Sequence, residues 1–457
     1  MAAVTSADGR LSIARKAGFA IGDYACNLYW QSISLFLLFY YTDVVGLPAA
    51  TAGLIYMVAS IFDGAIDPVM GTIADSTRTR WGRYRPWVLI GAVPLGLSFA
   101  GLYWKPAAIG LGLTTIVMLA HLLFRVTYTA VSIPYSTLTA RITTRSDDRN
   151  GLAGFRMVFA SLAGLTVAWL TQPMVGYFGA GDPAKGFFWT ACVLAGIATV
   201  ILPLVFLNTI EPPLPSDDAP LPALRDYWGS IRFNKAFWLV MIAVTAAALC
   251  STIIGKSVIY SFKYFVGDEG AARYALSANM ASGLIVIPCW VAITKRIGKR
   301  GAWFAASAWL VAGLIVFALT DFRAVLPAAA MFLILQIGML GLNMTYWSML
   351  PDTVEYGEWR SGIRAESFIF GFGNFFQKVA LGLAAGLMGL AFDLVGFHAN
   401  AVQSDATLAG IRLVVAICPI VGLGIAAWAM WHHPLRPGEH ERIAAEIAAR
   451  RPPPTAG

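Results

Sequence analysis

The stretch Arg80-Trp81-Gly82-Arg83-Tyr84-Arg85-Pro86-Trp87 is echoed further along the chain by Arg296-Ile297-Gly298-Lys299-Arg300-Gly301-Ala302-Trp303. An arginine, a glycine followed by a basic residue, and a final tryptophan match at one constant offset. Each basic loop follows a long apolar stretch. An internal repeat of this kind is typical of transporters built from two similar halves, with the substrate site between them near the middle of the bilayer. Two basic loops that converged independently are the alternative.

The composition around these loops indicates a membrane protein rather than a set of soluble domains. Hydrophobic residues make up 58% of the 457 residues and charged residues 13%, against about 25% charged residues in a soluble domain. The mean hydropathy is +0.67. Because a helix needs roughly 20 residues to cross the hydrocarbon core, the chain has room for many crossings, and a soluble domain with a single anchor is excluded. We predict twelve spans, at 18–41, 49–74, 87–104, 108–138, 150–175, 186–208, 236–265, 271–294, 302–320, 324–350, 366–392 and 407–431.

The predicted fold is an all-α membrane protein with twelve transmembrane helices in two pseudo-symmetric halves. The halves occupy residues 18–208 and 236–431, and the proline-rich segment 209–235 between them has the composition of a linker. Residues 1–17 and 432–457 form two polar tails. Lysine and arginine collect in both tails and in the loops on the same side, so the positive-inside rule predicts that both termini are cytoplasmic.

Charge and cysteine usage exclude several other classes of protein. The formal net charge of +8 is explained by the topology, so nucleic-acid binding is not needed to account for it. The five cysteines lie in apolar stretches without a C-x-x-C spacing, which indicates neither a disulfide framework nor a zinc site. We expect the chain to lie in the plasma membrane, which is the inner membrane if the source is bacterial.

Two acids in the second span are candidate cation ligands. Asp63 and Asp67 are separated by one helical turn and share one helix face. Two carboxylates close together in a low dielectric must share a proton, coordinate a cation or pair with a basic group. Pro68 loosens the backbone hydrogen bonding at this turn. The alternative is structural, with both acids permanently paired to Arg156 and Lys378.

Asp23 in the first span is a candidate solute ligand. It lies beside Asn27 and several aromatic residues, and a carboxylate among amides and rings suits a polyhydroxylated ligand. A buried ion pair is the competing interpretation. Lys378 lies in the middle of the eleventh span, so we expect it to meet the acids of the other half, whereas we expect Arg125 and Lys256 to be structural.

With these residues identified, the chain resembles the glycoside-pentoside-hexuronide:cation symporter family of the major facilitator superfamily. Four segments carry the resemblance, which covers nearly the whole chain. They are Tyr40-Tyr41-Thr42-Asp43-Val44-Val45-Gly46-Leu47, the segment from Asp63 to Pro68 with the loop through Trp87, Pro351-Asp352-Thr353-Val354-Glu355-Tyr356-Gly357-Glu358-Trp359, and Arg364-Ala365-Glu366-Ser367.

The resemblance implies roles for individual residues. Asp63 and Asp67 would bind the coupling cation, with Thr129 as a further oxygen donor. The candidate substrate-binding residues are Asp23, Asn27, Ser132, Arg156, Asn374 and Lys378.

Two positions depart from the family's best-known member. Ile66 replaces an asparagine between the acids, which removes a neutral oxygen ligand and favours a proton over sodium. Ser132 replaces a sugar-binding aspartate, so galactoside specificity is not carried over.

The repeated loops contain candidate gating residues. Their basic side chains are placed to donate hydrogen bonds to helix C-terminal carbonyls and to nearby acids. We expect them to clamp the cytoplasmic faces of the two halves in the outward-open state. If the charges serve only to set topology, single substitutions will leave transport unchanged. The candidate gating residues are Asp75, Arg80, Arg83, Arg296, Lys299, Asp352 and Glu355.

The sequence therefore predicts a secondary active symporter that moves a sugar, glycoside or sugar acid together with H⁺ or Na⁺ by alternating access. We expect it to work as a monomer, without a cofactor and without a metal other than Na⁺. The alternative is a transporter of lysophospholipids or other amphiphiles, distinguished by an apolar lateral opening and a head-group site near Lys378. A non-transporting sensor is a weaker alternative. No metalloprotease, nucleophile-elbow or phosphate-loop motif is present, so no enzyme is predicted.

Overall fold

The computed structural model describes residues 11–107, 110–142, 146–211, 231–361 and 366–434, with four isolated positions beyond them. The predicted tails 1–17 and 432–457 and the predicted linker 209–235 lie largely outside the described residues, and so does Arg364 of the family motif. In the described ranges the chain is almost entirely helical, as expected where every backbone polar group must be satisfied within its own segment.

Eleven helices make up the described bundle. They are α1 (Ile13–Ser32), α2 (Ala49–Ser76), α3 (Arg85–Leu102), α4 (Gly110–Ile142), α5 (Ser146–Gly179), α6 (Pro183–Asn208), α7 (Lys235–Ser261), α8 (Ala272–Leu319), α9 (Val325–Ser361), α10 (Glu366–Leu394) and α11 (Asp405–Trp431). Two π-helical segments, Ile33–Leu37 and Tyr40–Val45, continue α1, and a third, Phe262–Val266, continues α7.

Helix α8 crosses the membrane twice. Gly298 has φ of 75° and ψ of 164°, which breaks the helix into an arm before it, α8a, and an arm after it, α8b. Trp290 of α8a donates to the carbonyl of Ile337 and Trp309 of α8b to that of Ile334, both at 2.9 Å. Two distant residues of α8 thus meet the same turn of α9, which requires the chain to reverse at Gly298.

The twelve predicted crossings are confirmed. Ten described helices are long and apolar enough to span a membrane. Helix α8 supplies two crossings, and α1 with its π-helical continuation supplies the remaining one. We call the side on which α1 begins and α11 ends the termini side, and the opposite side the distal side.

The bundle consists of an N-terminal half, α1 to α6, and a C-terminal half, α7 to α11. The halves pack together along α2 with α10 and along α5 with α8. Small residues allow the first of these contacts to be close: a side chain on Gly53 would lie 2.5 Å from the carbonyl oxygen of Ala385, and one on Gly389 would overlap the backbone of Ala49. Close approach at glycines is a common mode of helix packing in membranes.

Candidate functional site

The two carboxylates of α2 lie side by side where α2 meets α4 and α10. Asp63 is fully buried. The hydroxyl of Thr129 on α4 lies 2.9 Å from Asp63 Oδ1 and 3.2 Å from Asp67 Oδ1. The structure therefore brings together the three residues assigned to cation binding by resemblance.

Lys378 reaches the same two acids from the opposite half. It lies on α10, and its Nζ is 3.0 Å from Asp63 Oδ2 and also contacts Asp67 Oδ2. The ammonium group thus bridges the two carboxylates at the position where an exchangeable cation would neutralise them. Lys378 thus links this cluster directly to the C-terminal half.

Arg125 is a member of this cluster that the sequence analysis did not assign to it. Its Nη1 lies 3.2 Å from Asp63 Oδ2, and both side chains are almost completely buried. The structural alternative paired Arg156 with these acids, and that pairing is wrong because Arg156 contacts Asp23 instead. The sequence feature that indicates this role is that Arg125 lies one turn before Thr129, on the same face of α4.

Asp23, which is buried, and Arg156, which is half-buried, form a second ion pair nearer the termini side. Arg156 donates from Nε to Asp23 Oδ2 at 2.6 Å and from Nη2 to Oδ1 at 3.0 Å. The Tyr135 hydroxyl donates to Asp23 Oδ2 at 2.7 Å, and Arg156 Nη1 donates to Thr139 Oγ1 at 2.7 Å. This bidentate geometry fixes both side chains and leaves few Asp23 lone pairs for a ligand.

The remaining candidate substrate residues do not join this pair. The Asn27 side chain donates to the carbonyl of Asp23 within α1 at 2.8 Å. Ser132 is half-buried on α4, and Asn374 is exposed on α10. Neither of these two side chains makes a hydrogen bond to another residue that the structure describes.

A cavity of about 450 Å³ lies between the halves, on the distal side of the Asp63–Asp67 cluster and of the Asp23–Arg156 pair. This volume lies within the usual range for small-molecule sites. The polar and aromatic residues that line it are Trp30, Gln31, Ser34, Tyr56, Ser251, Thr252, Lys256, Gln336, Asn343, Tyr346 and Gln377. The predicted substrate residues are not part of this lining.

Lys256 is the charged group in the cavity wall. It is 3% exposed. Its Nζ donates to the carbonyl of Ser34 at 3.0 Å and lies 3.9 Å from the centroid of the Tyr56 ring. The sequence predicts a structural role for Lys256, and the structure places it in the wall of the cavity. A lone lysine in an apolar span was the sequence signal.

The predicted gating residues lie on the termini side. Gly82 and Gly298, the matched glycines of the repeat, both have positive φ, at 106° and 75°. Lys299 on α8b donates to both carboxylate oxygens of Asp352 at 2.8 Å, within the C-terminal half.

In the N-terminal half the backbone N–H of Arg83 donates to Glu211 at 3.0 Å, and the hydroxyl of Tyr84 donates to Asp75 at 2.5 Å. Arg80 stacks on Trp81, Arg296 is exposed, and Glu355 follows Asp352 by one turn of α9.

A polar network on the distal side joins the halves and was not predicted. Lys263 Nζ lies 2.7 Å from Asp43 Oδ1, and Asn400 Nδ2 donates to the Asp43 carbonyl at 2.6 Å. Lys263 also lies 3.7 Å from Glu269, which accepts from Gln172 at 3.2 Å. Burial raises the pKa of the Glu269 carboxyl above its ordinary value, against the opposing effect of Lys263.

Known proteins resemble this chain over almost its whole length. The model of the family described as MFS/sugar transport protein matches residues 18–436. The isoprimeverose transporter of Lactiplantibacillus pentosus is 31% identical, with 90% of this chain and 86% of the relative covered. The glucuronide carrier protein homolog of Escherichia coli (strain K12) is 27% identical, with 95% of each chain covered.

Solved structures agree on the fold. A bacterial homolog of the human lysosomal transporter Spinster superposes with a TM-score of 0.72 at 12% identity, covering 97% of this chain and 100% of the other. Together with the family match and the two six-helix halves, this likeness identifies a multi-pass membrane transporter of the sugar-transport type and not an enzyme. The chain belongs to the MFS/sugar transport protein family, the glycoside-pentoside-hexuronide symporters of the major facilitator superfamily.

Proposed function

We propose that the protein couples the transport of a sugar or sugar acid to the binding of one cation at Asp67, by alternating access of the two halves. The observation that carries this proposal is the bridge from Lys378 to Asp63 and Asp67. Lys378 comes from one half and the acids from the other, so the bridge depends on how the halves are arranged.

The bridge supplies a mechanism for coupling. When the halves rearrange and Lys378 withdraws, Asp67 is left without its counter-charge in a low dielectric, where an unpaired carboxylate is costly. A cation from solution then neutralises it. Solute that favours the rearranged state raises the affinity for the cation, and by linkage the cation raises the affinity for the solute by the same factor.

The donors around the acids favour a proton over sodium. Each of the four carboxylate oxygens lies within hydrogen-bonding distance of Thr129, Arg125 or Lys378, and Ile66 offers no amide oxygen. Sodium requires several free oxygen ligands, whereas a proton requires one. Proton binding at Asp67 therefore demands the smaller rearrangement of the site.

Alternating access is supported by where the cross-half contacts lie. The Asp43–Lys263 pair links the halves on the distal side, whereas Lys299 pairs with Asp352 inside one half on the termini side. This arrangement corresponds to a state closed on the distal side. The basic loops at Arg80 and Arg296 lie on the termini side, so the positive-inside rule assigns that side to the cytoplasm. In this proposal the protein acts as a monomer in the plasma membrane.

The cavity favours a small polar solute. Amide and hydroxyl groups in its wall suit a polyhydroxylated ligand, and Trp30 can stack on a sugar face. Lys256 adds a positive charge that would pair with a carboxylate, so we favour a sugar acid within this class. The names of the isoprimeverose transporter and the glucuronide carrier homolog agree with a glycoside or sugar acid.

The test is uptake into proteoliposomes under an imposed proton or sodium gradient, with a panel of neutral sugars, glycosides, uronic acids and lysolipids. We expect accumulation of a sugar or uronic acid that follows the proton gradient. Asp67→Asn should abolish accumulation, and Asp405→Asn at the exposed start of α11 is the matched control. Uptake that is independent of both the proton gradient and the sodium gradient would contradict cation coupling.

One observation favours the amphiphile alternative. A mostly apolar groove of about 620 Å³ runs between α5 and α8a, lined in part by Leu165, Trp169 and Ala281, and it could admit an acyl chain from the side. Lys378, the expected head-group site, is instead engaged by two acids. Gradient-driven uptake of a lysolipid in the same panel would establish this alternative and overturn the sugar proposal.

A further inference from the structure

Arg125 and Lys378 both neutralise the acids of α2, but they belong to different halves. Arg125 lies on α4, packed against α2, whereas Lys378 lies on α10. The side chains of Arg125 and Asp63 are 1% and 0% exposed. Movement of one half against the other therefore changes the distance from Lys378 to the acids and leaves the contact between Arg125 and Asp63 intact.

The guanidinium group of Arg125 is held on several sides by its own half. Its Nε donates to His121 Nε2 at 3.2 Å, and its Nη2 lies 3.4 Å from Ser60 Oγ. The rings of Trp30 and Tyr56 lie 5.7 and 5.8 Å from its central carbon. A guanidinium keeps its charge at any physiological pH, so this site contains a permanent positive charge.

We propose that Arg125 is a resident counter-cation for Asp63, which removes Asp63 from the exchangeable site and leaves Asp67 as the single carboxylate that takes up the transported cation. This inference rests on the proposed cation coupling and supplies the reason why only one of the two acids exchanges a cation. Two carboxylates face two basic groups in the cluster, so its charge is balanced while Lys378 is in place. When Lys378 withdraws, one negative charge is left without a partner. That charge is on Asp67, because Asp63 stays paired with Arg125.

Removing Arg125 should create a cation site that the native protein lacks. The cluster would then contain two carboxylates and one lysine. The hydroxyl of Thr129 and, through the space vacated by Arg125, that of Ser60 would be available as further oxygen ligands beside Asp63. Small hard cations bind such oxygen sets, and methylguanidinium has the charged group of the deleted side chain. Na⁺, Li⁺ or methylguanidinium should therefore occupy the place of the lost side chain.

The experiment measures the thermal unfolding midpoint of purified full-length protein in detergent, in choline chloride and in 100 mM NaCl, LiCl or methylguanidinium chloride. In choline, Arg125→Ala should be less stable than the native protein, because breaking a buried ion pair leaves an uncompensated charge. The added cations should raise its midpoint by about 3 to 5 °C, and that of the native protein by less than about 1 °C.

The double variant Arg125→Ala with Asp63→Asn is the control for the charge itself. It restores the charge balance, so it should unfold at a higher temperature than Arg125→Ala in choline and should not respond to the cations. An unresponsive Arg125→Ala, a responsive double variant or a native protein that responds equally would each overturn the proposal.

A folding failure is also informative. If Arg125→Ala is recovered folded from medium with Na⁺ and not from medium with choline, the proposal is supported. If it is recovered from neither while the double variant folds, an unpaired Asp63 does not recruit a cation and the proposal is contradicted. Uptake by the native protein without any ion coupling would contradict the proposed function. These stability measurements test only the role of Arg125.

Discussion

Lys263 of the C-terminal half and Asp43 of the N-terminal half form an ion pair at 2.7 Å that joins the halves on the distal side. The Asp43 carboxylate also accepts hydrogen bonds from the hydroxyl of Thr42, at 2.6 Å, and from the hydroxyl of Tyr264. Several donors therefore converge on one carboxylate at the point where the halves must separate if the distal side is to open. We interpret this network as the interaction that holds the distal side closed.

Removing the lysine should favour opening of the distal side. A hydrogen bond to a charged group contributes about 1.5–3 kcal/mol, so Lys263→Met should increase the population of the distal-open state by roughly tenfold or more. The measurement is the rate at which a membrane-impermeant maleimide, added from the distal side, labels Ser251→Cys in the cavity of a variant whose five native cysteines are replaced. The exchange Asp43→Lys with Lys263→Asp should recover slow labelling. Labelling of Lys263→Met as slow as in the native background would show that the ion pair does not control opening.

The distal network should also respond to pH through Glu269. Burial raises the pKa of this carboxyl in the closed state, and Lys263, Gln172, Asp43 and Tyr264 surround it. Opening would return Glu269 to water and to its ordinary pKa of 4.5. The closed state therefore binds the proton more tightly, so its advantage is present at low pH and is lost as pH rises through the raised pKa.

Labelling of Ser251→Cys at a series of pH values above 4.5 tests this response, with rates normalised to the thiolate fraction of a free cysteine. The rate should rise with pH in the native background and become independent of pH in Glu269→Gln. Asp268→Asn, one residue away in the same loop, should keep the pH dependence. A Glu269→Gln variant with an unchanged pH profile would remove this carboxyl from the opening equilibrium.

The fold could be predicted from the sequence because its signals are local. The lengths of the apolar stretches predict the membrane spans, and the repeated basic loops predict the division into two halves. The distal part of α1 was less predictable, because its π-helical turns carry it beyond residue 41 to Val45 before Gly46 ends it with φ of 88°. Helix α9 likewise continues past residue 350, through the polar family motif to Ser361, where hydropathy alone gives no reason for a helix.

The site could be predicted only in part, because ion pairs depend on how helices are rotated against one another. The shared face of Asp63 and Asp67 follows from their spacing along α2. The partner of Arg156 does not follow from spacing, and one alternative paired it with the wrong acids. Arg125 and Lys256 were expected to be structural because nothing in a single helix shows which neighbour a buried basic group meets.

Neutralising Asp67 should separate binding from energy coupling. In Asp67→Asn the amide cannot take up a cation when Lys378 withdraws, so the accumulation ratio should fall to about 1 while exchange of solute across the membrane continues. Counterflow and gradient-driven uptake in the same proteoliposomes distinguish the two activities. Undiminished accumulation by Asp67→Asn would exclude this carboxylate from coupling.

The Asp23–Arg156 pair should behave as one unit. Each side chain is fixed by the other, with two hydrogen bonds of 2.6 and 3.0 Å, and removing either partner leaves an unpaired charge in a poorly hydrated position. Asp23→Asn and Arg156→Gln should each reduce kcat/KM for uptake by at least about tenfold, and the double variant should be no worse than either. Effects that multiply in the double variant would indicate that the two side chains act independently. Arg156→Lys keeps the charge but loses the bidentate geometry, so an intermediate rate is expected.

The matched glycines of the two repeated loops should differ in their tolerance of a side chain. Gly82 and Gly298 both have positive φ, so alanine is strained at each by roughly 1–3 kcal/mol. A side chain at Gly82 would also overlap the carboxylate of Glu211, which accepts from the backbone N–H groups of Arg83 and Tyr84. Nothing lies within 4 Å of the corresponding position at Gly298.

Thermal unfolding of the two alanine variants measures this difference. Both midpoints should fall, and Gly82→Ala should fall further because it also displaces Glu211 from the loop. Gly71→Ala in α2, where φ is ordinary and nothing lies within 4 Å, is the control and should be neutral or slightly stabilising. Equal losses at Gly82 and Gly298 would mean that backbone strain alone accounts for both glycines and that Glu211 contributes nothing measurable to the first loop. A larger loss at Gly82 would instead establish that two loops of the same sequence repeat are stabilised differently, the first by an acid at the end of its own half and the second by its turn geometry.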